Sequence, residues 1–272
     1  MSDIHSTGLL QIEHLAFGTD MVSRLFPCRV RNAAAFDYYG ESQLRGGADF
    51  FDFIPYQPRG LVVAIGEVSG PSGAATALLL PGLRGFLRTS LPGDTGDIRR
   101  VVRDLNRALC DTSPDSFYAT LFCAAIDPDL RQLHYVNAGH EPALLIRGGT
   151  ERVYRLESTG TVLGLTTRSG YGVRTLALEP GDLLVAFSGG VADAANSEGQ
   201  AFGESGVLRT LRDYPGARSS ELVAYLIDAV RQFADRTGTA DDRMVTVVRF
   251  NQVLADPVLE DEVRELRFAA AQ

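Results

Sequence analysis

The order of strand-like and helix-like segments constrains the fold of this chain most. Short apolar runs typical of buried strands come first, and two helix-like segments follow. A long series of strand-like runs then precedes one more helical segment and a final strand. A doubly wound parallel sheet requires strands and helices to alternate regularly, which they do not do here. The order therefore favours an α+β protein in which antiparallel sheets form a sandwich with helices outside.

Three segments are helix-like, and two of them have apolar residues at helical spacing. The first, residues 74–87, is rich in alanine and leucine, and we expect Pro81 to kink or split it because proline removes a backbone donor. The second covers residues 98–109 and the third residues 222–233, with Ser219 as the expected N-cap. These segments predict helices that cover the sheets.

The remaining apolar runs are separated by turn residues and predict strands. Proline-containing turns at residues 127–129 and 179–182 each join two such runs, so each is expected to close a hairpin. The expected strands are residues 29–39, 49–56, 61–65, 117–126, 132–137, 143–146, 153–156, 171–178, 183–187 and 244–250.

Composition limits the partners and the compartment. The 272 residues carry a net charge of -8, which argues against nucleic-acid or anionic-membrane partners because phosphate recognition relies on clustered cations. All 26 basic residues are arginine, so no lysine nucleophile is available. Cys28, Cys110 and Cys123 form no CxxC pair, which favours reduced thiols over a zinc site. Without a signal-peptide pattern or an apolar run of membrane length, we expect a cytoplasmic protein.

The two ends of the chain are expected to flank one main domain. Residues 1–25 have an imperfect helical pattern and predict an N-terminal helical segment. Residues 253–272 predict a C-terminal helical tail that could dock on the domain or on a second copy, which would make a homodimer. No internal repeat or low-complexity linker interrupts residues 26–252, so we expect them to form a single domain.

Acidic residues recur where the expected strands end or turn. They are Asp49, Asp52, Glu67, Asp193, Asp241 and Asp242. Any one of them alone is typical of a solvated turn, but carboxylates gathered on one rim would supply the oxygen ligands that Mg²⁺ and Mn²⁺ prefer. The glycines around Glu67 could instead indicate a phosphate-binding loop, although the chain has no Walker lysine and no full dinucleotide fingerprint.

Five motifs include these acidic residues and follow one another in a fixed order. They are Gly47-Ala48-Asp49-Phe50-Phe51-Asp52, Gly66-Glu67-Val68-Ser69-Gly70-Pro71-Ser72-Gly73-Ala74-Ala75, Asn137-Ala138-Gly139-His140-Glu141-Pro142, Ser188-Gly189-Gly190-Val191-Ala192-Asp193-Ala194 and Asp241-Asp242-Arg243-Met244-Val245-Thr246. The set resembles the PPM family of metal-dependent protein serine/threonine phosphatases, in its bacterial SpoIIE/RsbU-like branch. The resemblance implies a four-layer αββα sandwich, in which two antiparallel sheets are flanked by helices and the metal site lies at one edge.

The same resemblance implies a mechanism and a ligand set. Two Mn²⁺ or Mg²⁺ ions would activate a water molecule that attacks a phosphomonoester in line, so no protein nucleophile is needed. Asp49 would bind one metal, Glu67 would bridge both, the Val68 carbonyl would assist, and Asp241 would complete the shell of the other metal. By family analogy the substrate would be phosphoserine or phosphothreonine on a bacterial regulatory protein of the anti-sigma-factor antagonist type.

Two positions depart from the family pattern. Glu67 stands where the family has aspartate, and its extra methylene would move the metals or change the carboxylate geometry. Gly189 stands where the family has the aspartate of Thr-Asp-Gly, and it offers no side-chain ligand. Asp193 could compensate if the turn folds it back toward the metals, or it could stay on the outer side of the turn, at the place where the family usually has glutamate. His140 could be a general acid or a structural hydrogen-bonding residue.

Two functions therefore remain open at the level of sequence. One is an active phosphatase with two ions. The other is a degenerate module, weakly active or inactive, that binds one metal or none and regulates by binding a partner protein. Asp52, Asp193 and Asp242 are further candidates for metal ligands.

Overall fold

The computed structural model of the chain describes residues 35–43, 49–56, 59–70, 73–92, 97–113, 116–150, 152–234 and 242–251. The helical segments expected at 1–25 and 253–272 lie outside the described residues, and so does Asp241. No helix in the described part of the chain is long and apolar enough to cross a bilayer.

Two five-stranded antiparallel sheets form the centre of the molecule. The first sheet has the order β1 (Phe36–Gln43), β10 (Arg243–Phe250), β9 (Leu183–Phe187), β6 (Ala143–Ile146) and β7 (Val153–Leu156). The second sheet has the order β2 (Asp49–Tyr56), β3 (Gly60–Ser69), β4 (Tyr118–Asp127), β5 (Gln132–Ala138) and β8 (Arg174–Ala177). The buried positions of the strands in both sheets are mostly apolar, as strands packed on two faces require.

Helices cover the outer face of each sheet. The pair α1 (Gly73–Ser90) and α2 (Ile98–Thr112) packs on the second sheet, while α4 (Gly203–Asp213) and α5 (Ser219–Phe233) pack on the first. A single helical turn, α3 (Gly189–Ala192), follows the end of β9. The apolar stripe of α2 is buried as its three-four spacing predicts, and Asp97 caps it by accepting a hydrogen bond from the Arg100 amide.

Side-chain alternation along the strands sorts residues into three apolar layers. On β2, Phe50 faces the helices and Phe51 faces the other sheet, and on β3 the same is true of Ala64 and Ile65. A third layer lies between the first sheet and its helices. The predicted αββα sandwich is therefore confirmed.

The hairpin predicted around residues 179–182 is wrong. The turn itself forms, because the Asp182 amide donates to the Glu179 carbonyl and Gly181 has a φ of 89°, a conformation that favours glycine. However, β8 pairs with β5 in the second sheet, whereas β9 pairs with β10 and β6 in the first. The turn thus carries the chain from one sheet to the other, and a local turn signal contains no information about which strand is the partner.

Two helix predictions also need correction. Helix α1 is not split at Pro81 but continues to Ser90, since Leu80, Leu83 and Leu87 bury their side chains against the second sheet. Helix α5 has Arg218 as its N-cap, and Ser219 is the first helical residue.

The start of α5 is tied to β1 instead of being capped by its own serine. The Ser219 amide donates to Asp37 Oδ2, and its hydroxyl donates to the Asp37 carbonyl. Helices α3 and α4 had no counterpart among the predicted segments. The turn α3 is too short for a periodic signal, and α4 is short with a mixed surface.

Candidate metal centre

The alternation of β2 and β3 places two expected ligands on one face. Asp49 is the direct cross-strand partner of Glu67, and both have the parity of Phe51 and Ile65, which face the gap between the sheets. Asp49 is buried, and Glu67 is partly buried at the rim. The Val68 side chain turns the other way into the helix-side core, which leaves its backbone beside Glu67 at the strand end.

The end of β9 supplies the opposite wall of this edge. Ser188 is fully buried. Two hydrogen bonds hold it at the start of β10, since its hydroxyl donates to the Asp242 carbonyl and accepts from the Met244 amide. The next residue, Gly189, donates its backbone N–H to Glu67 Oε1 at 2.8 Å. Glu67 therefore connects the end of β3 in the second sheet to the residue that follows β9 of the first.

The short turn α3 brings Asp193 toward the same place. A Cβ atom added to Gly189 would lie 3.6 Å from Asp193 Oδ2, 3.7 Å from Glu67 Oε1 and 3.9 Å from Glu67 Oε2. Of the two alternatives left open by the sequence, the geometry favours the one in which Asp193 folds back. Its side chain remains exposed to solvent.

Negative charge is concentrated at this edge. The pKa of Glu67 is raised, first by burial and then by repulsion from Glu141, Asp193 and Asp242, while the hydrogen bond from Gly189 acts in the opposite direction. Glu141 also has a raised pKa, caused by burial and by Asp193. Sequence reasoning missed Glu141, although it directly follows the Asn-Ala-Gly-His stretch.

Asp52 lies on the opposite face of the same sheet. It shares the parity of Phe50 and points at helix α1, where Arg88 Nε donates to Asp52 Oδ2 at 2.6 Å. Arg84 Nε lies 3.4 Å from the same oxygen, an ion-pair contact without hydrogen-bond geometry. Asp52 and Arg84 are only 4% and 8% exposed. This carboxylate is therefore neutralised by two arginines and separated from Glu67 by the sheet.

His140 belongs to a buried turn. Its amide donates to Asn137 Oδ1 at 2.8 Å, the Asn137 side chain donates back to the His140 carbonyl, and Gly139 has a φ of 70°. The ring Nδ1 lies 3.0 Å from Thr120 Oγ1, and Thr120 is the cross-strand neighbour of Glu67. Burial lowers the pKa of His140 to about 4, against a smaller effect of the Phe187 backbone. The imidazole is thus neutral at pH 7, which favours the structural role.

The donor chemistry of this edge fits a hard divalent cation. In the part of the chain that the structure describes, neither Glu67 nor Asp193 forms an ion pair with an arginine, so no described arginine neutralises their charge directly. Among those same residues, no three His, Cys, Asp or Glu side chains stand together at metal-binding spacing, and Asp241 is not described. Mg²⁺ is commonly held by one or two carboxylates and several waters, so an oxygen-only rim of this kind is suitable.

Comparison with known proteins gives a consistent set of relatives. The family model described as Stage II sporulation protein E (SpoIIE) matches residues 57–251. Protein IcfG of Synechocystis is 28% identical over 222 residues, and the match covers 70% of this chain and 34% of IcfG. Phosphoserine phosphatase RsbU of Bacillus subtilis is 29% identical over 188 residues, covering 69% of this chain and 55% of RsbU. The chain thus spans about a third and about half of these relatives.

Solved structures share the fold at lower sequence identity. The SiaA-PP2C domain of Pseudomonas aeruginosa has a TM-score of 0.74 with 16% identity, covering 92% of this chain and all of that domain. The RsbU and RsbW domains of Rv1364c from Mycobacterium tuberculosis give 0.67 with 21% identity, covering 81% of this chain and 63% of theirs. RsbX in complex with magnesium gives 0.62 with 14% identity, covering 82% of this chain and 99% of RsbX.

Proposed function

Because the chain belongs to the SpoIIE family of PPM-type serine/threonine phosphatases, we propose that it is a metal-dependent phosphatase of phosphoserine or phosphothreonine on a bacterial regulatory protein. The family consists of hydrolases that normally use Mn²⁺ or Mg²⁺. The observation that carries the proposal for this member is the approach of the Glu67 and Asp193 carboxylates to Gly189 at the edge between the sheets, where, among the described residues, neither forms an ion pair with an arginine.

The proposed ligands are those that face this edge or adjoin it. They are Asp49, Glu67 and the Val68 carbonyl, with Asp193 and Asp242 as additional candidates. Asp241, which lies outside the described residues, is proposed from the family pattern alone. Asp52 is left out of this set, because it faces helix α1 and is already paired with Arg84 and Arg88.

The residues of the chain hold the reacting groups and do not attack the substrate themselves. Divalent ions held by these residues would lower the pKa of a water and would supply positive charge to stabilise the phosphoryl group. Gly189 fixes the Glu67 carboxylate through its backbone N–H, and the buried contact between Ser188 and Met244 fixes Gly189 in turn. His140, neutral and buried, supports the strand end beside Thr120.

The expected partner is a phosphorylated regulator of the anti-sigma-factor antagonist type. Support comes from the relative named phosphoserine phosphatase RsbU and from the solved chain that combines RsbU and RsbW domains. The cytoplasmic location, the homodimer and the division into residues 1–25, 26–252 and 253–272 stay predictions.

A second candidate function is a degenerate module that binds a partner without efficient catalysis. It is favoured by Gly189, which has no side chain where the family pattern has aspartate, and by the lengthened Glu67. Calorimetric titration with Mn²⁺ separates the two functions. Two sites of similar affinity support the phosphatase, and one site or none supports the module.

Hydrolysis by the purified full chain tests the main proposal. With Mn²⁺ it should hydrolyse p-nitrophenyl phosphate and a phosphorylated antagonist protein, and Asp241→Ala should abolish turnover. The matched control is Glu198→Gln, which removes an exposed carboxylate in the loop after α3 and should leave the rate unchanged. Absence of turnover by the unaltered chain at millimolar Mn²⁺ contradicts the proposal.

A further inference from the structure

Gly189 lies between two carboxylates that come from different parts of the chain. The distances from a Cβ added there, 3.6 Å to Asp193 Oδ2 and 3.7 Å to Glu67 Oε1, are ordinary van der Waals separations. A Cβ at position 189 would therefore meet no steric clash and would be in contact with both carboxylates. Position 189, where the family pattern has an aspartate, is thus next to the carboxylates of both Asp193 and Glu67.

Helical geometry explains why Asp193 reaches this place. Asp193 follows Gly189 by four residues, and its amide donates to the Gly189 carbonyl at 2.8 Å, which closes the single turn of α3. Residues four apart lie on the same side of a helix, and side chains lean toward the helix N-terminus. The Asp193 carboxylate therefore leans back over Gly189, where there is no side chain to exclude it.

Glu67 reaches the same place from the second sheet. Its Oε1 accepts the Gly189 N–H at 2.8 Å, so the position of this carboxylate is set by the backbone of the residue that lacks a side chain. A third carboxylate at position 189 would meet both groups, and in the described part of the chain no arginine forms an ion pair with either. The glycine is therefore consistent with a site whose negative charge is already provided by its neighbours.

We propose that Asp193 provides, across Gly189, the metal-binding carboxylate that the family pattern provides from position 189. The ligand is a divalent cation of the Mn²⁺ or Mg²⁺ class, and the inference rests on the proposed function of the site. We call this the exchange of roles between positions 189 and 193: the carboxylate at 189 is lost, the acidic residue one helical turn later is kept, and glycine provides the space for it.

Calorimetric titration of the full chain with Mn²⁺ tests the exchange. Asp193→Asn should weaken Mn²⁺ binding about 10–100-fold, the range found when groups that support a metal are removed. Adding Gly189→Asp to that variant should restore affinity to within about threefold of the unaltered chain, since the two positions serve one place. Adding Gly189→Ala instead supplies a Cβ without a carboxylate and should restore nothing.

Unfolding of the metal-free protein gives a second readout that does not depend on activity. Asp193→Asn should raise the melting temperature, because it relieves repulsion from Glu67, whereas Glu198→Gln should not. Unchanged Mn²⁺ affinity in Asp193→Asn, or no recovery with Gly189→Asp, overturns the exchange.

The outcomes separate this inference from the proposed function. Full turnover with unchanged affinity in Asp193→Asn means that the exchange is wrong and the phosphatase stands. Asp193-dependent Mn²⁺ binding without any hydrolysis means that the exchange stands and the chain is a binding module. Absence of Mn²⁺ binding by the unaltered chain contradicts both.

Discussion

Asp52 and Glu67 are carboxylates on neighbouring strands of one sheet, and their surroundings are opposite. Asp52 points at helix α1, is almost fully buried and is neutralised by Arg88 and Arg84. Glu67 points into the gap between the sheets and, among the described residues, has a backbone N–H and other carboxylates as neighbours. The sheet itself separates the two environments.

The difference shows how to separate structural from functional carboxylates in this fold. A buried charge that the protein neutralises contributes to the integrity of the fold, and removing one partner leaves the other uncompensated. A cluster of carboxylates without cationic partners is destabilising in the free protein and favours the binding of a cation. Charge balance therefore favours a role in the fold for Asp52 and supports the proposed role of Glu67 at the site.

The largest effect is expected at Asp52. Asp52→Asn should lower the free energy of unfolding by about 3–5 kcal/mol, because Arg84 would remain buried without its carboxylate. Denaturant titration measures this loss, and the rate per folded molecule should remain unchanged. A variant that loses Mn²⁺ affinity while keeping its stability would break the comparison.

The next largest effect is expected at acidic pH, where His140 should lower the free energy of unfolding. Its pKa is about 4 in the folded protein against 6.5 for an unperturbed histidine, so the unfolded chain binds the proton first. The contribution of His140 to stability is complete above pH 6.5 and is lost as the pH falls toward 4, a total of about 3 kcal/mol. The raised pKa of Glu67 acts with the opposite sign, since its protonation favours the folded state.

The pH dependence of His140→Gln isolates the histidine from the carboxylates. Unfolding free energies of the metal-free chain and the variant should be compared between pH 4 and pH 7. The variant should show the smaller loss on acidification. Parallel curves for the two proteins would show that His140 is not the buried neutral group described above.

Glu67→Gln should separate catalysis from stability. We expect hydrolysis to fall at least about 100-fold, equivalent to about 2.7 kcal/mol in the barrier. The metal-free variant should nevertheless melt higher than the unaltered chain, because a neutral amide avoids the repulsion and can still accept from Gly189. A lower melting temperature together with full activity would reverse the roles of Glu67 and Asp52.

The smallest effect is stabilisation by the metal itself. At ten times its dissociation constant, Mn²⁺ should stabilise the chain by about 1.4 kcal/mol and raise the melting temperature reversibly, with EDTA removing the gain. Glu67→Gln should show little of this shift. Asp52→Asn should show the full shift, although its melting temperature without metal is lower. Equal shifts in both variants would count against a site at Glu67.

Much of the architecture could be predicted from local patterns. The stripe of Val101, Val102 and Leu105 is buried against the second sheet, and the β4–β5 hairpin forms around residues 127–129. The hairpin predicted at residues 179–182 was wrong because strand pairing is decided by nonlocal contacts. Helix α1 likewise continues past Pro81, since its buried leucines compensate for the lost backbone hydrogen bond.

At the site, the sequence determined which chemical groups are available and in what order they occur. It identified Glu67 and Gly189 as the two departures from the family pattern, and the match over residues 57–251 established the family. Only the tertiary structure decided which side of the sheet each carboxylate faces. It pairs Asp52 with Arg84 and Arg88, and it brings Asp193 and Glu141 close to Glu67. The reason is physical: residue type and spacing are properties of the chain, whereas charge balance depends on which distant elements fold against one another.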